Sequence, residues 1–335
     1  MAQIQQMAGR AIPAHLEKPV AALCDVTCDL LSRILMDGLE GNLAESAGSD
    51  TGGNTQQPLD LIADRDFRAA MNGTGIRWYA SKARNRVAEV EPAGNLAIAI
   101  DPLNGSSDLD VNASIGTVFS IQPAEDDPDA TFLRAGHHIV AAGYFIHGPQ
   151  TVLMISLGDG LRKFILDRKA GIFREVPVSP LPGQCKTVEF AINASNYRHW
   201  SQPVRAYVDD CLAGMDGPRG KSFNMRWIAS PVAEAHRIIL RGGIFLHSGD
   251  ARDGHAEGRL RLIHECAPIA FLVEQSGGKA TDGISRMLER VPTSLHAHTP
   301  FVFGTPDKVD RLATCHDLPE PEVSALFGNR GLFRA

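Results

Sequence analysis

Apolar residues follow two kinds of spacing along the first half of the chain, and the spacing predicts strands and helices. Short apolar runs rich in β-branched residues predict buried strands at 96–100 and 114–121. The same criterion predicts further strands at 76–80, 87–90, 139–146, 151–157 and 163–167. Helical spacing predicts helices at 19–39, where Pro19 lies near the start, and at 59–71. Residues 1–18 lack periodicity and are expected to form a loose arm.

Strands and helices alternate in the second half of the chain. The predicted order is a strand at 188–192, a helix at 203–212, a helix ending near Leu240, a strand at 243–246, a helix at 266–275, a strand at 301–303 and a short helix from Pro306. The proline-rich stretch 176–183 precedes this half and predicts a boundary between two sub-domains, 1–178 and 179–325. The mixture of strands and helices indicates the α/β class.

Composition narrows the possible functions. A hydrophobic content of 44% and a charged content of 21% are typical of a folded globular protein rather than a disordered one. The formal charge of -6 does not favour a nucleic-acid partner, and no apolar run is long enough to span a membrane. The six cysteines form no Cys-x-x-Cys pair, so we expect a reduced, cytoplasmic protein.

The turn between the strands at 96–100 and 114–121 carries three acids, Asp101, Asp108 and Asp110. A carboxylate at the end of a buried strand is costly unless a cation or hydrogen bonds compensate its charge. The Gly-Ser-Ser sequence at 105–107 adds backbone N–H groups of the kind that hold phosphate. The pattern favours a divalent metal with a phosphate beside it. The alternative is a hairpin loop with solvated acids.

Two further acids lie four residues apart on the predicted helix 59–71. Asp60 and Asp64 would face the same way on that helix. Asp60 lies in an apolar run, which favours a functional role. A solvated acidic face remains a fair interpretation of Asp64.

Several ordered blocks resemble the class 1 fructose-1,6-bisphosphatase family. The loop pattern of that family, Asp-Pro-Leu-Asp-Gly-Ser-Ser, stands here as Asp-Pro-Leu-Asn-Gly-Ser-Ser at 101–107. The other matching blocks lie at 59–60, 114–117, 192–196, 219–221, 224–228, 242–245, 259–270 and 274–278. The resemblance implies a layered α/β/α/β/α sugar-phosphatase fold that assembles as a homodimer or homotetramer. It also implies that 1–178 holds the metal and catalytic groups and that 179–325 binds the sugar phosphate.

The activity implied by the resemblance is Mg²⁺-assisted hydrolysis of the 1-phosphate of fructose 1,6-bisphosphate, with Mn²⁺ as a possible replacement ion. Matching positions imply catalytic roles for Asp60, Asp101 and Arg261, and metal ligation by Asp101, Leu103, Asn104 and Glu265. They imply substrate binding by Asn104, Gly105, Ser106, Ser107, Asn193, Arg226, Trp227, His247 and Arg259. In the family pattern Asp60 helps to activate the attacking water, and Arg226 reaches the site of the neighbouring subunit.

The chain departs from the family pattern at four carboxylate positions. Where the family has Ser-Glu-Glu, this chain has Ser81, Lys82 and Ala83, and the fourth residue of the loop is Asn104 instead of aspartate. An acid expected in the early loop aligns with Asn54. Each lost negative charge weakens Mg²⁺ binding, and a lysine repels the ion directly.

These departures leave several alternatives open. The protein is either a phosphatase with fewer metal ions, recruiting Glu89 or Glu91, or an impaired paralogue that binds sugar phosphates or partner subunits without turnover. An inositol-phosphatase-like substrate range is a third possibility. Lys82 either occupies the space of a metal ion or points into solvent. In each case, we expect sugar bisphosphate binding to survive better than metal binding.

Overall fold

Two large β-sheets and seven α-helices make up the described part of the chain, residues 3–7, 10–36, 48–49, 55–179, 181 and 187–316 of the computed structural model. The helices are α1 (Ala14–Met36), α2 (Pro58–Ala70), α3 (Pro128–Phe132), α4 (Gln202–Leu212), α5 (Pro231–Arg241), α6 (Ala267–Gln275) and α7 (Pro306–His316). The strands are β1 (Gln3–Gln5), β2 (Gly48–Ser49), β3 (Thr55–Gln56), β4 (Ile76–Ser81), β5 (Ala88–Glu89), β6 (Leu96–Asn104), β7 (Ile115–Pro123), β8 (Ala141–His147), β9 (Thr151–Ser156), β10 (Leu161–Asp167), β11 (Ile172–Val176), β12 (Glu189–Ala191), β13 (Asn224–Met225), β14 (Ile244–His247), β15 (Leu260–Arg261), β16 (Lys279–Thr281), β17 (His298–Thr299) and β18 (Phe301–Gly304).

The larger sheet has nine strands in the order β1-β11-β10-β9-β8-β7-β6-β4-β5. Neighbouring strands from β6 to β11 run antiparallel, whereas β4 pairs parallel with β6. The smaller sheet has five strands in the order β13-β12-β14-β18-β16. Two short pairs, β2 with β3 and β15 with β17, lie outside these sheets.

Three apolar clusters show how the elements stack into layers. The first packs α1 and α2 against one face of the larger sheet. The second fills the space between the two sheets and contains α5 and α6. The third packs α4 and α7 against the outer face of the smaller sheet. The result is the predicted α/β/α/β/α order, so the predicted fold class is confirmed.

Strand β6 includes the first residues of the central motif, the acid-bearing turn at 101–110, and is buried along its whole length. Helices cover both faces of its sheet, which explains why its sequence is an apolar run without alternation. The strand continues beyond the predicted end at residue 100, so that Asp101 and Asn104 still pair with β7. The register shifts between these two residues. The strand therefore ends in an irregular turn, where the Asn104 side chain contacts the first turn of α5 and Glu265, which precedes α6.

The prediction of a loose arm at 1–18 is wrong for the described residues. Gln3–Gln5 pairs parallel with β11, and α1 begins at Ala14, so Pro19 lies within the helix. The buried Arg162 guanidinium binds the Glu175 carboxylate at 2.7 Å, and Glu175 also accepts the backbone N–H of Met7. These contacts attach the arm to the sheet edge in a way that periodicity does not show.

Some predictions fall on residues outside the described part, including Asn54 and positions 180, 182 and 183 of the proline-rich stretch. The boundary between 1–178 and 179–325 stays a prediction. No helix in the described ranges is long and apolar enough to cross a membrane.

A substitution at Gly116 tests how closely the strands around the central motif approach one another. It pairs with Asn104 across β6 and β7, and a Cβ there would lie 2.0 Å from the carbonyl oxygen of Phe145. We expect Gly116→Ala to lower the free energy of unfolding by about 1–3 kcal/mol in urea denaturation, because the strands must move apart. The matched control is Gly158→Ala, where space is open and only the backbone strain of φ +93° is added. An equal or smaller loss for Gly116→Ala would contradict the close approach.

Candidate active site

A cavity of about 520 Å³ opens where the end of β6 meets the N-terminus of α5 and the π-helical turn Leu262–Cys266. The predicted site residues that line it are Asp60, Asp101, Leu103, Asn104, Gly105, Ser106, Ser107, Trp227, His247, Arg259, Arg261 and Glu265. These residues come from both halves of the chain, and the packing of the two sheets brings them together.

A second cavity, of about 190 Å³, adjoins the first. The two share Trp227, His247 and Arg259, and the second also contains Asn193. Arg226 is a predicted substrate residue that lines neither of these cavities. Its side chain is 54% exposed, and its Nε lies 3.6 Å from a carboxylate oxygen of Glu189.

Asp101 and Glu265 are buried at the bottom of the larger cavity, and Lys82 lies between them. The Lys82 Nζ is 2.9 Å from Oδ2 of Asp101 and 3.2 Å from Oε1 of Glu265. Burial lowers the pKa of Lys82, but the charges of the two carboxylates raise it by more, so the ammonium stays charged. Of the two positions considered for Lys82, the structure shows the one inside the cavity.

The backbone around Lys82 holds its side chain in this direction. Its N–H donates to the Ile100 carbonyl at 3.0 Å, and its carbonyl accepts from Nη1 of Arg261 at 2.6 Å. The backbone N–H of Arg261 donates to Oε2 of Glu265 at 2.9 Å. Arg261 therefore contacts the Lys82 backbone through its side chain and the Glu265 carboxylate through its own backbone.

Asn104 presents its amino group, not its oxygen, to the two carboxylates. Nδ2 donates to Asp101 at 2.8 Å and to Glu265 at 3.0 Å. Oδ1 accepts the backbone N–H of Val232, in the first turn of α5, at 3.1 Å. Because that backbone group is only a donor, it fixes which way the amide faces. The oxygen that was expected to face a metal ion is turned toward α5 instead.

Asp60 lies in the first turn of α2, where its Oδ2 accepts the backbone N–H of Gln57 at 2.8 Å. Burial raises the pKa of Asp60 to about 6, although the hydrogen bonds from Gln57 and from the Ser106 hydroxyl lower it. Asp60 and Asp64 differ in their surroundings. Asp64 is buried, accepts from Tyr79 and pairs with Arg84 at 2.5 Å. The solvated acidic face considered for Asp64 is therefore wrong.

The turn after β6 divides the three acids of the central motif. Asp101 is buried in the cavity, whereas Asp108 and Asp110 do not line it. Gly105 adopts a left-handed conformation with φ of +79° and leads into the turn Ser106–Asp108. Only Asp101 of the three thus belongs to the site, and the other two fit the hairpin interpretation.

An aromatic stack forms one wall between the cavities. The rings of Trp227 and Phe245 lie 5.9 Å apart and nearly parallel, and the ring of His247 lies 6.4 Å beyond Phe245. Burial lowers the pKa of His247 to about 4, so its ring is neutral at pH 7. No role was predicted for Phe245, although it lies in a matching block at 242–245, because an apolar strand residue gives no chemical signal.

The side chains present do not fit the divalent-metal centre that the resemblance implies. Among the described residues, no group of three or more His, Cys, Asp or Glu side chains could hold a metal ion. The oxygens of Asp101 and Glu265 that face each other already bind an ammonium and an amide N–H. The proposed replacements are wrong, since Glu89 and Glu91 lie outside the cavity and Glu91 caps the backbone N–H of Gly75.

Comparisons with known proteins match both halves of the chain to one family. Residues 21–177 match the family described as fructose-1-6-bisphosphatase, N-terminal domain, and residues 184–317 match its C-terminal domain. The chain is 52% identical over 329 residues to fructose-1,6-bisphosphatase class 1 1 of Cereibacter sphaeroides, covering 97% of both proteins. It is 53% identical over 324 residues, again 97% of both, to the class 1 enzyme of Paracoccus denitrificans.

A solved structure extends the comparison to three dimensions. The structure of Leishmania major fructose-1,6-bisphosphatase in holo form superposes with a TM-score of 0.86 at 29% identity, covering 92% of this chain and 96% of that one. The family models, the relatives and the fold agree over nearly the whole length. The chain therefore belongs to the class 1 fructose-1,6-bisphosphatase family.

Proposed function

We propose that the protein is a phosphoric monoester hydrolase that converts fructose 1,6-bisphosphate to fructose 6-phosphate and phosphate. The observation that carries the proposal is the joining of two cavities. The larger contains Asp60 and the turn at 105–107, and the smaller contains Asn193. A sugar with a phosphate at each end needs two such neighbouring sites. The names of the relatives support the same activity.

The turn at 105–107 and Asp60 supply the groups for attack on the 1-phosphate. The backbone N–H groups of Gly105, Ser106 and Ser107 would hold the phosphate oxygens, as turns of this kind do for anions. Asp60 would take the proton of the attacking water. Its pKa of about 6 leaves it ionised at pH 7, yet close enough to neutrality to accept a proton.

The second cavity and the shared wall provide the remaining contacts of the substrate. Asn193 would bind the 6-phosphate, and Arg259, which lines both cavities, would bind phosphate from the sugar side. Trp227 and His247 would pack against the sugar. Arg261 would act through its contacts with Lys82 and Glu265.

The cofactor stays a prediction. The family resemblance predicts Mg²⁺, with Mn²⁺ as the replacement, but the side chains around Asp101 and Glu265 do not fit such an ion. Each role proposed above therefore belongs to a residue of the chain itself. The activity assay described next includes both ions. Binding of sugar phosphates without turnover is the alternative outcome, and no comparison favours it.

A phosphate-release assay with fructose 1,6-bisphosphate, run in EDTA, Mg²⁺ and Mn²⁺, tests the activity. We expect turnover, and we expect Asp60→Asn to lower kcat by about 10²–10⁴-fold because the base is lost. The control is Asp66→Asn on the same helix, whose carboxylate pairs with Arg65 at 2.9 Å outside the cavity. We expect this control to leave kcat unchanged.

The pH profile separates a base from a merely structural acid. Since Asp60 must be ionised to accept a proton, kcat/KM should rise as the pH increases through about 6 and then level off. Asp60→Asn should abolish that step. The proposal is wrong if folded protein releases no phosphate under any of the three conditions, or if the step persists in Asp60→Asn.

We also propose that the protein is a homodimer or homotetramer in the cytoplasm, with no nucleic-acid or membrane partner. Arg226 supports the oligomer, because it is exposed next to the exposed apolar residues Met225 and Ile228. The ion pair between Arg237 and Glu189, at 2.6 Å, holds the carboxylate that Arg226 approaches. The described cysteines are free thiols, which agrees with a reducing compartment.

Light scattering at micromolar concentration should give at least the mass of a dimer. We expect Arg226→Ala to keep that mass and to raise KM about tenfold, because the family pattern assigns this arginine to the phosphate of the neighbouring subunit. Arg311→Ala removes a similarly exposed arginine, paired with Asp210, and serves as the control. A monomer mass for the unmodified chain would contradict the proposed assembly.

A further inference from the structure

The charged groups that line the larger cavity balance one another without a metal ion. Three are carboxylates, Asp60, Asp101 and Glu265, and three are cations, Lys82, Arg259 and Arg261. The family pattern has acids at positions 82, 83 and 104 and would make the same cavity strongly negative. In that case a phosphate could not enter without divalent cations, whereas here the charge permits it.

Lys82 has the geometry of a fixed cation rather than a surface lysine. Two of its three N–H donors are used by Asp101 and Glu265. Its side chain is 21% exposed, and the residue lines the same cavity as the turn at 105–107. The third donor is thereby left for a ligand. The neighbouring Ala83 contributes no charge of its own.

We propose that the Lys82 ammonium takes the place of the divalent ion, so that the cavity binds the phosphate group of its substrate without any metal. The identity of the substrate rests on the proposed function. A divalent ion could bind Asp101 and Glu265 only by displacing both Lys82 and the amide of Asn104. The displaced Lys82 ammonium would then repel the divalent ion with twice the energy of two unit charges at the same distance.

Asn104 supports the replacement of the metal ion by groups of the chain, independently of Lys82. Aspartate at this position would add a third buried carboxylate beside Asp101 and Glu265. Asparagine instead donates to both of them, and Val232 holds its oxygen away. The two substitutions therefore act in the same direction, each replacing a metal-binding charge with hydrogen-bond donors.

Calorimetry on the full chain measures binding separately from turnover. Inorganic phosphate is titrated in EDTA and in Mg²⁺, and Mg²⁺ is titrated alone. We expect phosphate to bind in EDTA with an affinity that Mg²⁺ changes less than about twofold, and we expect no heat of Mg²⁺ binding at millimolar concentration. Phosphate binding that requires Mg²⁺ would overturn the proposal.

Three lysine variants test whether the charge of Lys82 is responsible. Lys82→Met should weaken phosphate binding in EDTA about tenfold or more, which corresponds to about 1.4 kcal/mol. Lys82→Arg keeps the charge and should retain most of the affinity, which guards against a merely structural effect. Lys279→Met removes a lysine that pairs with Asp310 outside the cavity and should bind like the unmodified chain. Unchanged binding by a folded Lys82→Met protein would overturn the role of Lys82.

The reverse experiment restores the family charges with Lys82→Glu, Ala83→Glu and Asn104→Asp together. This triple variant should bind Mg²⁺ and should bind phosphate only in its presence. Failure to gain Mg²⁺ binding in the folded triple variant would count against the proposal that Lys82 replaces the divalent ion.

The outcomes also separate this inference from the proposed activity. Phosphate binding in EDTA without any turnover of fructose 1,6-bisphosphate would leave the role of Lys82 standing and remove the hydrolase. Turnover that depends on Mg²⁺ would leave the hydrolase standing and remove the role of Lys82.

Discussion

The burial of two carboxylates side by side is the constraint around which this site is built. Asp101 is 2% exposed and Glu265 is 3% exposed, and each would be strongly destabilising without compensation. Here the compensation is covalently part of the chain: an ammonium, an amide and the backbone N–H of Arg261. The site therefore needs nothing from solution to hold its shape, which means that folding and ligand binding are separate events.

This constraint extends into the fold through the elements that deliver the donors. Lys82 follows β4, which pairs with β6, and the amide of Asn104 is oriented by the first turn of α5. Glu265 comes from the π-helical turn before α6. A change in any of these elements would move a donor away from a buried charge. The layer between the two sheets is thus both a hydrophobic core and the support of the site.

Much of this arrangement could be predicted from the sequence, for physical reasons that differ from residue to residue. Buried strands such as β6 are recognisable because a long apolar run is stable only inside the core. The blocks that match the family located the cavity residues from both halves of the chain. The direction of Lys82 could not be predicted, since it depends on contacts with residues far along the chain. The pairing of Gln3–Gln5 with β11 was missed because three polar residues at a sheet edge have no periodicity. Asp64 was misjudged for a similar reason, as its partners Tyr79 and Arg84 lie on another element.

The aromatic stack between the cavities has a practical consequence for optical spectroscopy. The chain has three tryptophans, and two of them, Trp200 and Trp227, line the cavities, whereas Trp78 lies beneath the guanidinium of Arg77 elsewhere. The Trp227 indole stacks on Phe245 and lines both cavities, so a charged ligand that enters them changes the polarity of its surroundings. The intrinsic fluorescence of the protein is accordingly weighted toward the site, and its emission can report occupancy in real time without a label.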